Sequence, residues 1–213
     1  METKTKFIEF MKAAGVLTLG DFTTKSGRKT PYFINTGNYR TGEQLAKLGE
    51  YYARTIAASG EKFDILFGPA YKGIPLVAVT AAALWSGHGI NVSYAFNRKE
   101  AKDHGEGGVI VGATPKAGDR IAIIEDVTTA GTSVRETLAI MQNFEDVKVT
   151  ALFVSVDRCE RGTGEKSALR EIAEEYGIRV YPIVTSREIA ATLPAGGAER
   201  AAMEAYLAEY GAE

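Results

Sequence analysis

Residues 121–134 read IAIIEDVTTAGTSV, and this stretch decides how the whole chain is interpreted. Its first four residues are apolar and predict a short buried strand, which ends in two adjacent acids, Glu125 and Asp126. A turn of small residues around Gly131 follows, and a helix is expected to begin near Ser133. In this order the backbone N–H groups of the turn can converge on a phosphate, which a helix N-terminus also attracts. Carboxylates accept hydrogen bonds from ribose hydroxyls, so the stretch predicts a site for a ribose 5-phosphate.

The simpler interpretation of the same residues is an acidic strand end followed by an ordinary N-capped helix. Two other nucleotide-binding motifs are absent from the sequence. There is no GxxxxGK followed by Ser or Thr, and no GxGxxG between a predicted strand and a helix. The choice between a phosphate site and a plain helix cap therefore depends on the rest of the chain.

Predicted strands and helices alternate around this stretch. Short apolar runs predict further strands at residues 65–67, 92–96, 147–156 and 179–183. Helical spacing and capping residues predict helices at residues 5–14, 41–58, 133–144, 166–176 and 198–210. This alternation is typical of an α/β fold with a central, mostly parallel sheet flanked by helices. In such sheets ligands bind beyond the carboxyl ends of the strands, which is where the two acids are expected.

Residues 98–112 interrupt the alternation because they are polar, rich in glycine and without a helical period. They predict a long loop without secondary structure, which in a compact domain is usually a lid or a binding loop. Arg98, Lys99, Lys102 and His104 place four potential cations within seven positions. Taken alone, such a charged run is more often a solvated hairpin.

Composition limits the classes of protein to consider. The chain has 213 residues, which predicts a single domain over 1–213. Lys plus Arg number 25 and Asp plus Glu 27, and a net charge of −2 gives no electrostatic basis for nucleic-acid binding. One Cys excludes an internal disulfide, and two His with one Cys do not predict a zinc cage. No apolar run reaches the roughly 20 residues of a membrane span, so no membrane partner is expected and the expected location is cytoplasmic.

The stretch at 121–134 resembles the phosphoribosyl pyrophosphate (PRPP) motif of the type I phosphoribosyltransferases. Four further segments, in the same order along the chain, resemble the members of that family that act on orotate: residues 22–35, 68–75, 97–108 and 157–162. The resemblance implies the type I phosphoribosyltransferase fold, with a small hood contributed by about residues 1–40 and 184–213. It also implies a cis peptide between Ala70 and Tyr71.

The resemblance further implies an activity. A glycosyltransferase of this kind transfers the 5-phosphoribosyl group from PRPP to orotate, giving orotidine 5′-monophosphate and pyrophosphate in pyrimidine biosynthesis. The expected cofactor is Mg²⁺, carried mainly by PRPP and pyrophosphate rather than by a protein metal site. A homodimer is expected, in which the mobile loop of one subunit completes the site of the other.

The site residues implied by the resemblance fall into three groups. The catalytic group is Lys99, Lys102, His104 and Asp126. The PRPP-binding group is Lys25, Tyr71, Lys72, Arg98, Lys99, Lys102, His104, Glu125, Asp126, Val127, Thr128, Thr129, Ala130, Gly131, Thr132 and Ser133. The orotate-binding group is Lys25, Phe33, Ile34, Thr129 and Arg158. The chain departs from the bacterial pattern at Ile34, where a second aromatic is more usual, and at Glu125, where an Asp is more usual.

Two alternatives remain open at this point. One is the same chemistry on another base, such as a purine. The other is a regulator that keeps the fold, senses PRPP and binds nucleic acid. The segment at 22–35 and Arg158 favour orotate over a purine, and the net charge of −2 disfavours the regulator.

Overall fold

The computed structural model describes residues 2–24, 27–102, 108–127, 131–161 and 164–212, with the side chains of 100–102 and 108 outside the described set. In chain order the elements are α1 (Glu2–Ala13), β1 (Leu17–Thr23), β2 (Lys29–Ile34), a 3₁₀ turn (Thr36–Asn38), α2 (Gly42–Ser59), β3 (Ile65–Phe67), α3 (Gly73–His88), β4 (Ser93–Lys102), β5 (Gly108–Gly112), β6 (Arg120–Val127), α4 (Thr132–Met141), β7 (Lys148–Asp157), α5 (Ala168–Tyr176), β8 (Arg179–Thr185), α6 (Ser186–Thr192) and α7 (Ala198–Tyr210).

The central sheet has the strand order β5-β4-β3-β6-β7-β8 in the described part of the chain. All neighbouring pairs are parallel except β4 and β5, which form an antiparallel edge. The predicted α/β architecture with a mostly parallel sheet is therefore confirmed.

Strand β6 lies in the middle of this sheet, between β3 and β7. Its residues Ile121 to Ile124 are completely buried, as expected for a parallel strand covered on both faces. Ile123 packs with α4 and α5 on one face, whereas Ile124 packs with the larger core on the other. The two acids that follow therefore emerge at the carboxyl end of a rigid central strand.

Helix α2 shows how closely local sequence can determine an element. The Thr41 hydroxyl accepts a hydrogen bond from the Gln44 N–H at 3.2 Å, and the Gln44 side chain accepts one from the Thr41 N–H at 3.1 Å. This is the predicted capping box. The helix ends at Gly60, which takes up the left-handed conformation with φ of 70°.

The two chain ends pack against each other beside the sheet. The ring of Tyr32 on β2 meets that of Tyr206 on α7 edge-on, with ring centroids 6.0 Å apart. Lys4 on α1 forms an ion pair with Glu188 on α6 at 2.6 Å. The boundaries of the predicted hood, and the count of one domain, stay predictions.

The prediction of a structureless loop at residues 98–112 was wrong. Strand β4 continues to Lys102, and β5 pairs with it antiparallel, with Phe96 opposite Val111 and Asn97 opposite Ile110. The reason is that β5 is an edge strand, so it needs only a short apolar run on one side and its polar neighbours remain in water. Residues 103–107 lie outside the described residues.

The sequence interpretation also missed the hairpin of β1 and β2, because residues 20–39 look polar and turn-rich. Leu17, Thr30 and Tyr32 are its buried positions, and a bulge between Leu19 and Phe22 breaks the alternation that would have revealed the strand. Helix α6 was also missed, since it has only seven residues. No described helix is long and apolar enough to cross a membrane.

Candidate active site

The two acids at the end of β6 are held in place by their backbone carbonyls. The Tyr52 hydroxyl of α2 donates to the Glu125 carbonyl oxygen at 2.7 Å. The Ser155 hydroxyl of β7 donates to the Asp126 carbonyl oxygen at 2.6 Å. The backbone from which both carboxylates project is therefore fixed by neighbouring elements, which is the form of preorganisation that a binding site needs.

The side chain of Asp126 lies at a meeting point of three segments. Its Oδ2 accepts a hydrogen bond from the Thr36 hydroxyl and lies 2.9 Å from Lys72 Nζ. Burial alone would raise the pKa of this carboxyl, but the hydrogen bonds from Lys72 and Thr36 outweigh it and hold the pKa below its usual range. Asp126 is therefore a carboxylate at neutral pH.

Glu125 behaves in the opposite way. Its side chain accepts hydrogen bonds from the Ser133 hydroxyl and from the Asp126 N–H, the latter at 3.1 Å. Burial raises its pKa to about 7, and the negative charge of Asp126 adds to the rise. Below pH 7 the two adjacent acids thus differ in charge, with Asp126 the ionised one and the stronger acceptor.

The segment between β3 and α3 forms a tight turn opposite the acids. Gly68 and Gly73 touch each other across it, because a Cβ on Gly68 would lie 2.2 Å from the Gly73 carbonyl oxygen. The Ala70 N–H donates to Asn97 Oδ1 on β4 at 2.9 Å. The peptide between Ala70 and Tyr71 is cis, as the resemblance implied.

The third wall is the start of α4. Gly131, with φ of 72°, is its N-cap, and the helix begins with Thr132 and Ser133. Gly131 has no side chain, so it cannot cap the first N–H groups of the helix as a Ser or an Asp at this position would. Val127 ends β6, and Thr128, Thr129 and Ala130 lie outside the described residues.

On the base side, Arg158 follows the carboxyl end of β7. Its guanidinium lies over the ring of Tyr32, 4.4 Å from the centroid, and Nη2 donates to Glu160 Oε1 at 2.7 Å. The predicted orotate-binding residue Arg158 thus has a largely buried guanidinium at the carboxyl end of β7. Phe33 is about half exposed and contacts Phe22.

The other predicted base-side residues are less clearly placed. Ile34 packs partly buried against the core, which leaves its backbone at the end of β2. Lys25 lies outside the described residues. Of the loop cations, Lys99 pairs with Glu136 on α4 at 3.1 Å, and Arg98 lies beside it on β4.

The two remaining loop cations cannot be placed. Lys102 ends β4 but its side chain lies outside the described set, and His104 lies outside it entirely.

A cavity of about 180 Å³ opens beside Asp126. It is lined by the Thr36 turn, Lys72 and apolar residues of α2 and α3. Five contributors to the site were missed in the sequence: Thr36, Tyr52, Asn97, Ser155 and Glu160. Thr36, Asn97 and Glu160 stand inside or beside segments that had been singled out, but their partners are distant in sequence. Nothing in the sequence marks Tyr52 or Ser155.

Comparison with known proteins agrees with this geometry. A family model described as the phosphoribosyl transferase domain matches residues 35–172, the part of the chain that contains both acids, the glycine turn and the start of α4. The chain thus contains the domain of a phosphoribosyltransferase.

Individual relatives narrow this class. The orotate phosphoribosyltransferase of Lachnoclostridium phytofermentans is 54% identical over 220 residues, covering 99% of this chain and 98% of that protein. That of Clostridium acetobutylicum is 57% identical over 187 residues, covering 87% and 84%. The crystal structure of the Francisella tularensis enzyme of the same name superposes with a TM-score of 0.87 at 38% identity, over 97% of this chain and 100% of that one. The chain belongs to the orotate phosphoribosyltransferase family.

Proposed function

We propose that this chain transfers the 5-phosphoribosyl group of PRPP to orotate and releases pyrophosphate. In this step the C1–O bond to pyrophosphate breaks, its electron pair leaves with pyrophosphate, and a bond from C1 to a ring nitrogen of orotate forms as that nitrogen gives up its proton. The observation that carries the proposal is the ionised Asp126 at the end of β6, beside the α4 N-terminus and facing Lys72. The close relatives named orotate phosphoribosyltransferase support the choice of base.

The acids suit the ribose. Asp126 already accepts from a hydroxyl, that of Thr36, and from the ammonium of Lys72. A ribose diol would present hydroxyl donors of the same kind. Its negative charge would also stabilise the positive charge that develops on the ribose ring as pyrophosphate leaves.

The two phosphate ends have separate partners. The 5′-phosphate would bind the first N–H groups of α4 after Gly131, including that of Ser133, together with the hydroxyl of Thr132, while the Ser133 hydroxyl keeps its bond to Glu125. Pyrophosphate would lie against the turn at 68–73, where Lys72 supplies a half-exposed ammonium. The loop cations Arg98, Lys99, Lys102 and His104 would stabilise the leaving group.

Magnesium would be held mainly by the oxygens of PRPP. Mg²⁺ is commonly bound through one or two carboxylates plus substrate phosphates, and Glu125 and Asp126 are donors of that kind. Within the described ranges, no group of three or more acidic, His or Cys side chains could hold a metal ion. The donors present therefore fit a metal that arrives with its substrate, where it would neutralise the charge of the leaving pyrophosphate.

A homodimer is part of the proposal, and helix α3 supports it. Pro75, Ala78, Ala82 and Trp85 are exposed and recur every three or four residues, so they form one stripe. Trp85 is 63% exposed. The helix carries no Lys, Arg, Asp or Glu, and an uncharged exposed stripe of this length is typical of a protein interface. We name these four residues the α3 stripe.

The stripe begins three residues after Lys72, so a second copy seated on it would stand next to the site. That placement supports a loop shared between subunits. The test is complementation: Lys102→Ala and Asp126→Ala, each nearly inactive, should recover activity when mixed, since one hybrid site has both parts intact. No recovery after proven subunit exchange would contradict the shared loop.

The activity itself is tested with the pure protein, orotate, PRPP and Mg²⁺, by following the ultraviolet absorbance of orotate. The expected result is a magnesium-dependent loss with an equal amount of pyrophosphate released. Turnover of another base instead of orotate would contradict the choice of substrate. We place this reaction in the cytoplasm without nucleic-acid or membrane partners, in keeping with the net charge of −2.

A further inference from the structure

Glu160 lies at the centre of a buried polar cluster on the base side of the site. Its Oε1 accepts hydrogen bonds from the Tyr32 hydroxyl and from Arg158 Nη2, both at 2.7 Å. Its Oε2 lies 3.7 Å from Arg28 Nη1. The side chain is only 14% exposed. One carboxylate therefore joins the β1–β2 hairpin to the turn that carries Arg158.

Arg158 is held from two directions, but one of its donors has no hydrogen-bond partner among the described residues. Its side chain is 11% exposed, with Tyr32 below the guanidinium plane and Glu160 at one edge. Its Nε is buried and makes no hydrogen bond to any described residue. An unpaired buried N–H of a charged group is costly, so it is a natural donor to an incoming acceptor.

The net charge of the cluster also favours the binding of an anion. Arg28 and Arg158 contribute two positive charges and Glu160 one negative, so these three groups sum to one positive charge. A ligand carboxylate would balance that sum. A planar guanidinium suits a carboxylate, provided that its plane is fixed in advance.

We propose that Glu160 is a positioning residue that fixes the Arg158 guanidinium for the carboxylate of the base. The inference rests on the proposed function, because orotate is the base that carries such a carboxylate. Glu160 acts through Arg158 and touches no reacting atom. Its contribution is preorganisation: the arginine is already oriented before the base enters, so less side-chain freedom is lost on binding.

The experiment compares two ligands by calorimetry, orotidine 5′-monophosphate and uridine 5′-monophosphate, which differ only in the base carboxylate. The wild type should prefer the first. Glu160→Gln keeps the size of the side chain but removes its charge, and it should lower that preference about tenfold while affinity for uridine 5′-monophosphate stays within about twofold. Glu174→Gln, which removes an exposed charge paired with Lys166 and Arg170, is the matched control and should leave the preference unchanged.

A loosened pocket would weaken both ligands equally, and that result would overturn the proposal. So would an unchanged preference in Glu160→Gln, or a wild type that does not distinguish the two ligands. If Glu160→Gln does not fold, Tyr32→Phe serves instead, because it removes one hydrogen bond to Glu160 and keeps the ring below Arg158. The preference for orotidine 5′-monophosphate should then fall about threefold, and an unchanged preference would overturn the proposal. The turnover assay with orotate tests the proposed function by itself. If the wild type does not convert orotate, the proposed function fails, whereas the ligand comparison tests only the role of Glu160.

Discussion

Two ion pairs stand at opposite ends of the site, and they differ in burial. Lys72 and Asp126 are 2.9 Å apart, with the lysine side chain 62% exposed and the carboxylate 16% exposed. Arg158 and Glu160 are 2.7 Å apart, and their side chains are 11% and 14% exposed. The two carboxylates are about equally buried, so the pairs differ in their cations: the exposed Lys72 ammonium can move into water or to a ligand at low cost, whereas the Arg158 guanidinium would be left uncompensated in a largely buried position.

The difference corresponds to two tasks. Under the proposed function, Lys72 and Thr36 would leave Asp126 so that each could contact a different part of PRPP. The Arg158 end would keep one shape so that it could recognise one ring. An exchangeable pair and a fixed pair are therefore expected to respond differently to mutation.

The largest effect should come from Asp126→Ala at the exchangeable end. We expect kcat/KM for PRPP to fall about 10³-fold, because the substitution removes both the ribose acceptor and the charge that stabilises the transition state. Steady-state kinetics measures it, with Glu50→Ala on the exposed face of α2 as a control expected to retain full activity. A loss of less than tenfold would remove Asp126 from the catalytic group.

Arg158→Lys tests the fixed end. A lysine cannot stack on Tyr32 or present a planar pair of donors, so KM for orotate should rise about 30-fold. KM for PRPP should stay within about twofold, since Asp126 and Lys72 are untouched. A parallel rise in both KM values would mean that the base end and the ribose end are not independent.

Lys72→Ala and Glu160→Ala together test whether the two ion pairs contribute differently to stability. For Lys72→Ala we expect KM for PRPP to rise about tenfold through the lost pyrophosphate contact, while the free energy of unfolding changes by less than about 1 kcal/mol, because the ammonium is half exposed. Glu160→Ala should instead cost about 3 kcal/mol of stability, as expected for breaking a buried pair. Denaturant titration of both variants measures the two changes in unfolding free energy. Equal losses would contradict the difference between the exposed and the largely buried ion pair.

The smallest effect concerns Glu125 and pH. Burial raises the pKa of its carboxyl from 4.5 to about 7, so the folded chain binds this proton more tightly than the unfolded chain. The resulting stabilisation is complete below pH 4.5 and is lost as the pH rises through 7. Glu125→Gln cannot lose a proton, so the fall in unfolding free energy between pH 5 and pH 8 should be smaller by about 1 to 2 kcal/mol. An identical pH dependence in both proteins would contradict the raised pKa.

The sequence predicted the strands and helices whose apolar residues follow a regular spacing or whose ends carry capping residues. The run at Ile121 to Ile124 gave β6, and Thr41 with Gln44 gave the start of α2. The prediction failed for strands whose side-chain pattern does not alternate regularly. β5 is an edge strand with one apolar run, and β1 is broken by a bulge near Leu19. Edge strands and bulges depend on partners that local periodicity does not contain.

The residues of the candidate site also fall into those that the sequence could indicate and those that it could not. The two acids, Glu125 and Asp126, could be singled out as candidates because they stand next to each other in one motif, shortly before Gly131. Tyr52 and Ser155 could not be found, because each acts through a backbone carbonyl 73 or 29 residues away. Glu160 stands within a recognised segment, yet its importance comes from Tyr32, 128 residues earlier. Long-range hydrogen bonds of this kind become visible only in the fold.

The α3 stripe also provides a spectroscopic handle. Trp85 is the one tryptophan in the sequence, and it lies on that stripe with its indole largely in water. If a second copy covers the stripe, the indole moves into an apolar environment and its emission shifts to shorter wavelength. A dilution series of the unlabelled protein, read at this single fluorophore, should therefore give the dissociation constant of the dimer directly.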